Sequence, residues 1–205
     1  HSAVHVNFGS VLDTDGKVLK SREGEVIKLF DLLLEAVTRA KAAIDEKNPD
    51  LQGEERERVA RIVGIGAVKY ADLSTERTKD YVFDWDIMLS FEGNTAPYLQ
   101  YANTRVRSVL EKSGIDLSRL TEPVMLVEDT ELRLARALIW FADAIDSVVD
   151  NGFPHVLCAY LYELSRQFTR FYESCPVNKE GVSEEVKASR LKLCVATSNV
   201  LEVGL

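Results

Sequence analysis

The chain has 205 residues, 46% of them hydrophobic and 28% charged, which is the composition of a globular protein with room for one or two domains. No apolar run is long enough to cross a bilayer, so the sequence predicts no membrane partner. The formal net charge is −8, and acidic residues outnumber basic ones on both sides of Thr95, which argues against binding to nucleic acid except through local basic patches.

The first part of the chain is predicted to combine a strand with helices. Val4 to Leu12 partly alternates apolar and polar residues, which favours a strand, and Asp13 to Gly16 is a turn signal. Lys17 to Gly24 is a basic and polar loop. Helices are predicted from Glu25 to just before Asn48 and from Glu54 to about Asp72. The apolar positions expected to face inward on the first helix are Val26, Leu29, Phe30, Leu33, Val37, Ala40 and Ile44.

The rest of the chain is predicted to be almost purely helical. Asp80 to Phe91 suggests an extended piece and a helical turn, after which Asn94 caps a helix that ends at Gly114. Further helices are predicted from Asp129 or Thr130 to Asn151, from Pro154 to Cys175, and from Ser183 to beyond Leu205. The residues alone therefore predict a mainly α protein, a mixed segment followed by an antiparallel helical bundle, and no function.

The cysteines indicate the redox environment. Cys158, Cys175 and Cys194 are widely spaced, odd in number and without a C-x-x-C pair, so we interpret them as reduced thiols of a cytoplasmic protein. The histidines are not spaced to complete a zinc site. We predict no metal site and no bound prosthetic group.

Three stretches resemble one family, in the same order. The first, VHVNFGSVLDTDGKVLKSREGE (Val4 to Glu25), resembles the strand and loop that close the catalytic domain of arginyl-tRNA synthetases. The second, VKYADLSTERTKDYVFDWDIMLSFEGNTAPYLQYANTRVRS (Val68 to Ser108), resembles their connector and the first helix of their anticodon-binding domain. The third, AYLYELSRQFTRFYESCPV (Ala159 to Val177), resembles the central helix of that domain. The middle stretch is long and unusual, so it is the most specific of the three.

The resemblance implies the carboxy-terminal half of a class I aminoacyl-tRNA synthetase, a ligase of protein biosynthesis. Such an enzyme activates arginine with ATP and Mg²⁺ and esterifies it to tRNA(Arg). We expect residues 1–30 to end a Rossmann-type catalytic domain, residues 31–93 to form a helical connector, and residues 94–205 to form an anticodon-binding helical bundle. The arginine pocket and the His-Ile-Gly-His signature would lie upstream, and the family's last residues would lie beyond Leu205. We expect a monomer whose activity requires those missing parts.

The stretch Lys17-Val18-Leu19-Lys20-Ser21 resembles the mobile Lys-Met-Ser-Lys-Ser loop of class I synthetases. The resemblance implies that Lys20 and then Lys17 are catalytic, and that both bind ATP together with Ser21. Attack on the α-phosphate pushes negative charge onto the departing pyrophosphate, where ammonium groups stabilise the transition state more than the ground state. The alternative is an ordinary exposed loop whose charges are offset by acidic neighbours.

Two helices carry candidate tRNA contacts. On the helix after Asn94, a local basic excess accompanies Tyr101 and Arg105, and on the helix after Pro154 the candidates are Tyr162, Arg166, Phe171 and Tyr172. Unstacked anticodon bases are held by aromatic rings and by the planes of arginine side chains, which is why these residue types are chosen. The alternative is that the aromatic residues pack in or beside the core and the arginines are solvated.

Two other classes of protein stay open. A non-enzymatic helical adaptor would explain the acidic charge and the bundle, but not the K-x-x-K-S loop followed by the GNTAPYLQYANTR helix. The anticodon-binding half of another class I synthetase, of the cysteinyl or leucyl type, would share the helical architecture, but the motifs of the cysteinyl enzymes are not seen.

Overall fold

The computed structural model of the chain describes residues 5–18, 28–116, 120–121, 123–179 and 181–205. Helices dominate this part of the chain, which confirms the mainly α prediction, and none of them is long and apolar enough to cross a membrane. The elements are β1 (Val11–Leu12), α1 (Leu29–Lys47), α2 (Gly53–Ser74), β2 (Tyr81–Val82), α3 (Trp85–Met88), α4 (Ala96–Ser113), α5 (Asp129–Ile139), α6 (Phe141–Asn151), α7 (Pro154–Ser174) and α8 (Glu184–Gly204).

The chain divides into two compact units. The first comprises the residues up to Tyr98 together with Phe153–His155, and the second comprises Leu99–Gly152 and Val156–Leu205. The three-part division predicted from the sequence stays a prediction. In the structure, the expected catalytic end and the expected connector fall within the same unit.

In the first unit, α1 and α2 form an antiparallel hairpin with small residues at the crossing. Ala36, Ala40 and Ala60 are fully buried. Gly64 of α2 lies so close to α1 that a Cβ atom there would come within 2.6 Å of the carbonyl oxygen of Ala36. Glycine at this position therefore allows an approach of the two backbones that any larger residue would block.

The first turn of α1 differs from the prediction. Leu29 and Phe30 are each 69% exposed, whereas burial on α1 begins at Ala36 and continues to Ile44. The prediction that Leu29 and Phe30 face inward is therefore wrong within the described structure. Periodicity identifies the apolar stripe of a helix but does not show where along the helix the covering surface begins.

The strands in the first unit are short and parallel. Val11 and Leu12 pair with β2, and the backbone N–H of Gly9 donates a hydrogen bond to the carbonyl oxygen of Arg77 at 2.7 Å. A Cβ atom on Gly9 would lie 2.0 Å from the carbonyl oxygen of Lys79, so this approach also requires glycine. The strand predicted from Val4 to Leu12 is too long, because only its end has a partner strand in the described structure.

The second unit is a helical bundle made by α4, α5, α7 and α8. The Oγ of Ser198 on α8 donates a hydrogen bond to Asn103 on α4 at 2.8 Å. The hydroxyl of Tyr160 on α7 donates to the carbonyl oxygen of Ala137 on α5 at 2.9 Å. The largest fully buried apolar side chains of this bundle are Leu99, Val106, Leu134, Leu161, Leu164, Phe168, Phe171, Leu191 and Leu201.

The single helix predicted from Asp129 to Asn151 is two helices. The chain leaves the regular helical conformation at Trp140, where φ is −75° and ψ is 2°, and α6 starts at the next residue. This break changes which side of the chain faces the core. Ile139 and Val149 share the helical spacing of the apolar residues in this run, yet they are 74% and 75% exposed, whereas Leu134 is fully buried.

Two helix caps also differ from the prediction. Asn94 was expected to cap α4, but the Oγ1 of Thr95 accepts the hydrogen bond from the backbone N–H of Tyr98 at 3.2 Å. The side chain of Asn94 instead accepts a hydrogen bond from the hydroxyl of Tyr70 at 2.6 Å. The N-cap position of α5 is Glu128, one residue before Asp129, and its backbone N–H donates to the side chain of Glu131 at 2.9 Å.

The three cysteines are buried thiols that form no disulfide within the described structure, in agreement with the prediction of reduced thiols. Burial raises the pKa of the Cys194 thiol to about 12, so it stays protonated at neutral pH. Cys194 therefore acts as a small apolar side chain of the core, whereas the sulfur of Cys175 lies within hydrogen-bond distance of the Oγ1 of Thr130, at 3.2 Å.

Candidate nucleic-acid interface

The turn before the expected phosphate loop is held by Asp13. Its Oδ1 accepts hydrogen bonds from the backbone N–H groups of Asp15 at 3.0 Å and of Lys17 at 2.8 Å. Gly16 has a φ of 77°, a conformation that L-residues rarely adopt. The backbone of Lys17 is therefore fixed while its side chain is exposed. Lys20 and Ser21 lie outside the described residues, and the roles expected for them stay predictions.

A groove of about 770 Å³ lies between α4 and the end of α7 in the second unit. One face of α4 supplies Tyr101, Arg105, Ser108 and Lys112, which follow one another at helical spacing and so share one side of the helix. The end of α7 and the residues after it supply the other wall, with Tyr172, Glu173, Pro176, Val177, Asn178 and Lys179. Three of the predicted tRNA contacts, Tyr101, Arg105 and Tyr172, therefore line the same groove.

Arg105 and Tyr172 are stacked across this groove. The Cζ atom of Arg105 lies 4.4 Å from the centroid of the Tyr172 ring. That ring stacks in turn on Phe168, which is fully buried, with 6.1 Å between the centroids and 26° between the planes. A cation–π contact at a partly exposed site contributes about 0.5–1 kcal/mol. The two planar groups are thus already ordered, so the protein loses less side-chain entropy when a ligand stacks on them.

The charge within the groove is opposite in sign to that of the whole chain. Arg105, Lys112 and Lys179 are basic, and Glu173 is the acidic residue of the lining. None of the three cations forms an ion pair with another residue of the described structure. Their charges are therefore available to an anionic ligand such as a phosphate backbone.

Tyr162 and Arg166 form a separate pair on α7, away from the groove lining. The Cζ atom of Arg166 lies 5.9 Å from the centroid of the Tyr162 ring. Arg166 is also paired with Glu163, at 3.1 Å between nitrogen and oxygen, and the two side chains are about half exposed. The carboxylate offsets the guanidinium charge, so this pair attracts phosphate less strongly than the groove does.

Phe171 requires a correction. Its ring is fully buried and packs on Phe168, with 6.1 Å between the centroids. A side chain in this position cannot stack on a base in the described fold, so we remove Phe171 from the set of RNA contacts. Its role is to fill the core of the bundle beside Phe168.

Sequence reasoning did not propose Lys112, Asn178 or Lys179 as contacts. Lys112 could have been found, because it follows Arg105 by two turns of the same helix and so lies on the same face. The other two lie where the chain turns back after α7. Only the folded path of that segment brings them to α4, where the side chain of Asn178 donates a hydrogen bond to the carbonyl oxygen of Val109 at 3.1 Å.

Known proteins similar to this chain share one activity in their names. An arginine–tRNA ligase of Klebsiella pneumoniae (strain 342) is 54% identical over 202 residues, which cover 98% of this chain and 35% of that protein. The solved structure of the Thermus thermophilus arginyl-tRNA synthetase matches with a TM-score of 0.80 at 31% identity, over 95% of this chain and 32% of that one. The Plasmodium falciparum arginyl-tRNA synthetase matches with a TM-score of 0.82 at 29% identity, over 98% and 33%.

Two family descriptions divide the chain between them. "tRNA synthetases class I (R), catalytic domain" matches residues 1–85, and "DALR anticodon binding domain" matches residues 99–205. With the fold and the groove, these matches define the class as a class I aminoacyl-tRNA synthetase, represented by part of its catalytic domain and a helical anticodon-binding domain. The chain belongs to the arginyl-tRNA synthetase family.

Family membership confirms the resemblance seen in the sequence. It also disfavours both alternatives, the helical adaptor and a synthetase of the cysteinyl or leucyl type. The chain spans about a third of the length of the curated relatives that it matches, 35% in the case of the Klebsiella protein.

Proposed function

We propose that this chain is the carboxy-terminal part of an arginine–tRNA ligase, which activates arginine with ATP and esterifies it to tRNA(Arg). The observation that carries the proposal is the groove of α4 and α7 within the region that matches an anticodon-binding domain. In this proposal, ATP binds partly at the start of this chain, and arginine binds upstream of it. The complete enzyme is proposed to act as a monomer in the cytoplasm.

The groove is proposed to hold the anticodon loop of the tRNA. Tyr101, with 57% of its surface exposed, and Tyr172 offer aromatic faces for unstacked bases. Arg105, Lys112 and Lys179 offer positive charge to the phosphates that flank those bases. Tyr162 and Arg166 are proposed as a second, weaker contact, because Glu163 offsets the charge of the arginine.

The segment after β1 is proposed to close over the phosphates of ATP. The turn held by Asp13 fixes the backbone where this segment begins, and Lys17 projects from it as an exposed cation. Lys17, Lys20 and Ser21 would bind the phosphates, and Lys20 would neutralise the charge that develops on pyrophosphate. The described residues contain no cluster of acidic, histidine or cysteine side chains able to hold a metal ion. Mg²⁺ enters this proposal together with ATP, as part of the substrate.

Filter binding tests the RNA part of the proposal. The chain should retain a transcript of tRNA(Arg), and retention should fall as the salt concentration rises, because phosphate contacts displace counterions. A transcript whose anticodon loop carries abasic sites is the matched control and should be retained less well. Equal retention of both transcripts, or retention that does not respond to salt, would exclude the groove as an anticodon site.

Aminoacylation by the full gene product tests the ligase part. Lys20→Ala should lower the rate of arginyl-adenylate formation far more than it weakens ATP binding, because it removes an interaction made mainly in the transition state. Unchanged turnover would remove Lys20 from the proposed mechanism.

A further inference from the structure

A buried ion pair lies in the bundle that carries the groove. The Nε of Arg190 donates to the Oε1 of Glu131 at 2.7 Å, and the two side chains are 10% and 1% exposed. The Nη1 of Arg190 also donates to the carbonyl oxygen of Pro176 at 2.8 Å. The other carboxylate oxygen of Glu131 accepts from the backbone N–H groups of Val127 at 2.7 Å and Glu128 at 2.9 Å. This network joins α5, α8 and the segment that follows α7.

Stability alone does not account for such a pair. Moving a charged group from water into the protein interior costs on the order of several kcal/mol per ion. A protein in which a well-packed apolar pair replaces the two ions is often as stable as the protein with the ion pair, or more stable. Burial alone would raise the pKa of Glu131, but the hydrogen bonds from the backbone and from Arg190 outweigh burial and lower it. The carboxylate is therefore ionised at neutral pH, and the pair is a true salt bridge with every charged group hydrogen-bonded.

The hydrogen-bond network around Arg190 and Glu131 also holds the segment that forms one wall of the groove. The segment 176–179 follows the end of α7, where the backbone no longer has helical partners. The ion pair fixes the carbonyl oxygen of Pro176, the side chain of Val177 is buried, and Asn178 donates to Val109 on α4 at 3.1 Å. Three consecutive residues are thus held, and Lys179 follows them as an exposed cation in the groove lining.

We propose that Arg190, through its ion pair with Glu131, is a positioning residue for RNA binding. It holds the segment that ends at Lys179 in place, so that this lysine and Arg105 face the same bound RNA. Neither Arg190 nor Glu131 lines the groove, and neither touches the ligand. The proposal rests on the proposed function of the groove.

A double variant, Glu131→Gln with Arg190→Met, tests this proposal without leaving a buried charge unpaired. Binding of a tRNA(Arg) transcript should weaken about fivefold, the factor that corresponds to one lost hydrogen bond of ordinary strength. The informative measurement is a double-mutant cycle with Lys179→Ala. That substitution should weaken binding in the wild-type background and have little effect in the double variant, because Lys179 is then no longer held at the RNA.

Leu201→Ala is the matched control for stability. Leu201 is fully buried on the same helix as Arg190 and does not line the groove, so this variant should lower the melting temperature without changing the affinity of the folded chain. The positioning role is overturned if the double variant binds like the wild type, if Lys179→Ala has the same effect in both backgrounds, or if Leu201→Ala weakens binding equally. If the wild-type chain itself does not retain tRNA, the proposed function fails first.

Discussion

The substitution Arg105→Gln is the sharpest test of the groove, because it removes a charge and keeps most of the side-chain length. The guanidinium lies 4.4 Å from the ring of Tyr172 and has no acidic partner in the described structure. A hydrogen bond between charged groups contributes about 1.5–3 kcal/mol, so its loss should weaken tRNA binding by about 10- to 150-fold. The loss of one phosphate contact should also reduce the slope of log K against log salt by about 0.7–0.9.

The assay is a fluorescence titration of a labelled tRNA(Arg) transcript at several salt concentrations. Arg133→Gln is the control, since Arg133 lies in the same unit but is paired with Asp129 at 2.6 Å and does not line the groove. It should change the affinity by less than about twofold. Tyr172→Leu should weaken binding by about 1–3 kcal/mol through lost stacking and leave the salt slope unchanged. Arg105→Gln with wild-type affinity and slope, or with no more effect than Arg133→Gln, would refute the reasoning.

Three further predictions concern stability. Phe171→Ala should lower the free energy of unfolding by about 3–5 kcal/mol in urea denaturation and leave the RNA affinity of the folded chain unchanged. If Phe171 instead touched the RNA directly, the variant would lose binding while its stability stayed unchanged. Gly64→Ala should destabilise the first unit by about 1–3 kcal/mol, measured by calorimetry, because the new Cβ atom would lie 2.6 Å from the carbonyl oxygen of Ala36. An unchanged melting temperature would contradict so close an approach of α1 and α2. The pKa of Glu131 in the folded chain is lower than its ordinary value of 4.5, so the ionised carboxylate stabilises the fold. This stabilisation is fully present above pH 4.5 and is lost as the pH falls through the lower pKa of the folded state. The free energy of unfolding should therefore fall more steeply with acidification in the wild type than in Glu131→Gln, and parallel profiles would contradict this.

Local signals predicted most helix bounds. The helix expected from Glu54 to Asp72 is Gly53–Ser74, and Ser183 caps α8 as expected, with its Oγ accepting from the backbone N–H of Val186 at 3.4 Å. These signals succeed because capping and chain-breaking residues act over one turn, so a single sequence contains them.

The failures have a different physical origin. The break at Trp140 lies between two apolar runs that both have helical spacing, and no proline or glycine marks it. The burial of Phe171 and the exposure of Leu29 depend on which distant surface covers each position. The pairing of Glu131 with Arg190 joins residues 59 positions apart, which no local pattern reveals.

Only one wall of the candidate groove could be predicted from the sequence, because local patterns relate residues of one helix and not residues of different helices. Tyr101 and Arg105 share a helix face, so helical spacing alone could propose them together. Bringing Tyr172 and Lys179 to that face requires the packing of α7 against α4, which the residue pattern does not reveal. Residues of one helix are thus accessible to sequence reasoning, whereas the opposite wall of a groove is a tertiary property.

An acidic chain can still bind RNA because charges in solution act over short distances. The net charge is −8, but the screening length at physiological salt is about 8 Å, so carboxylates far from the groove contribute little to its potential. Near the groove, Arg105, Lys112 and Lys179 outnumber Glu173. If these three cations make the phosphate contacts, the slope of log K against log salt should be about −2 to −3. A distinctly steeper slope would require further cations outside the groove, and a slope near zero would mean that the groove does not meet the phosphate backbone.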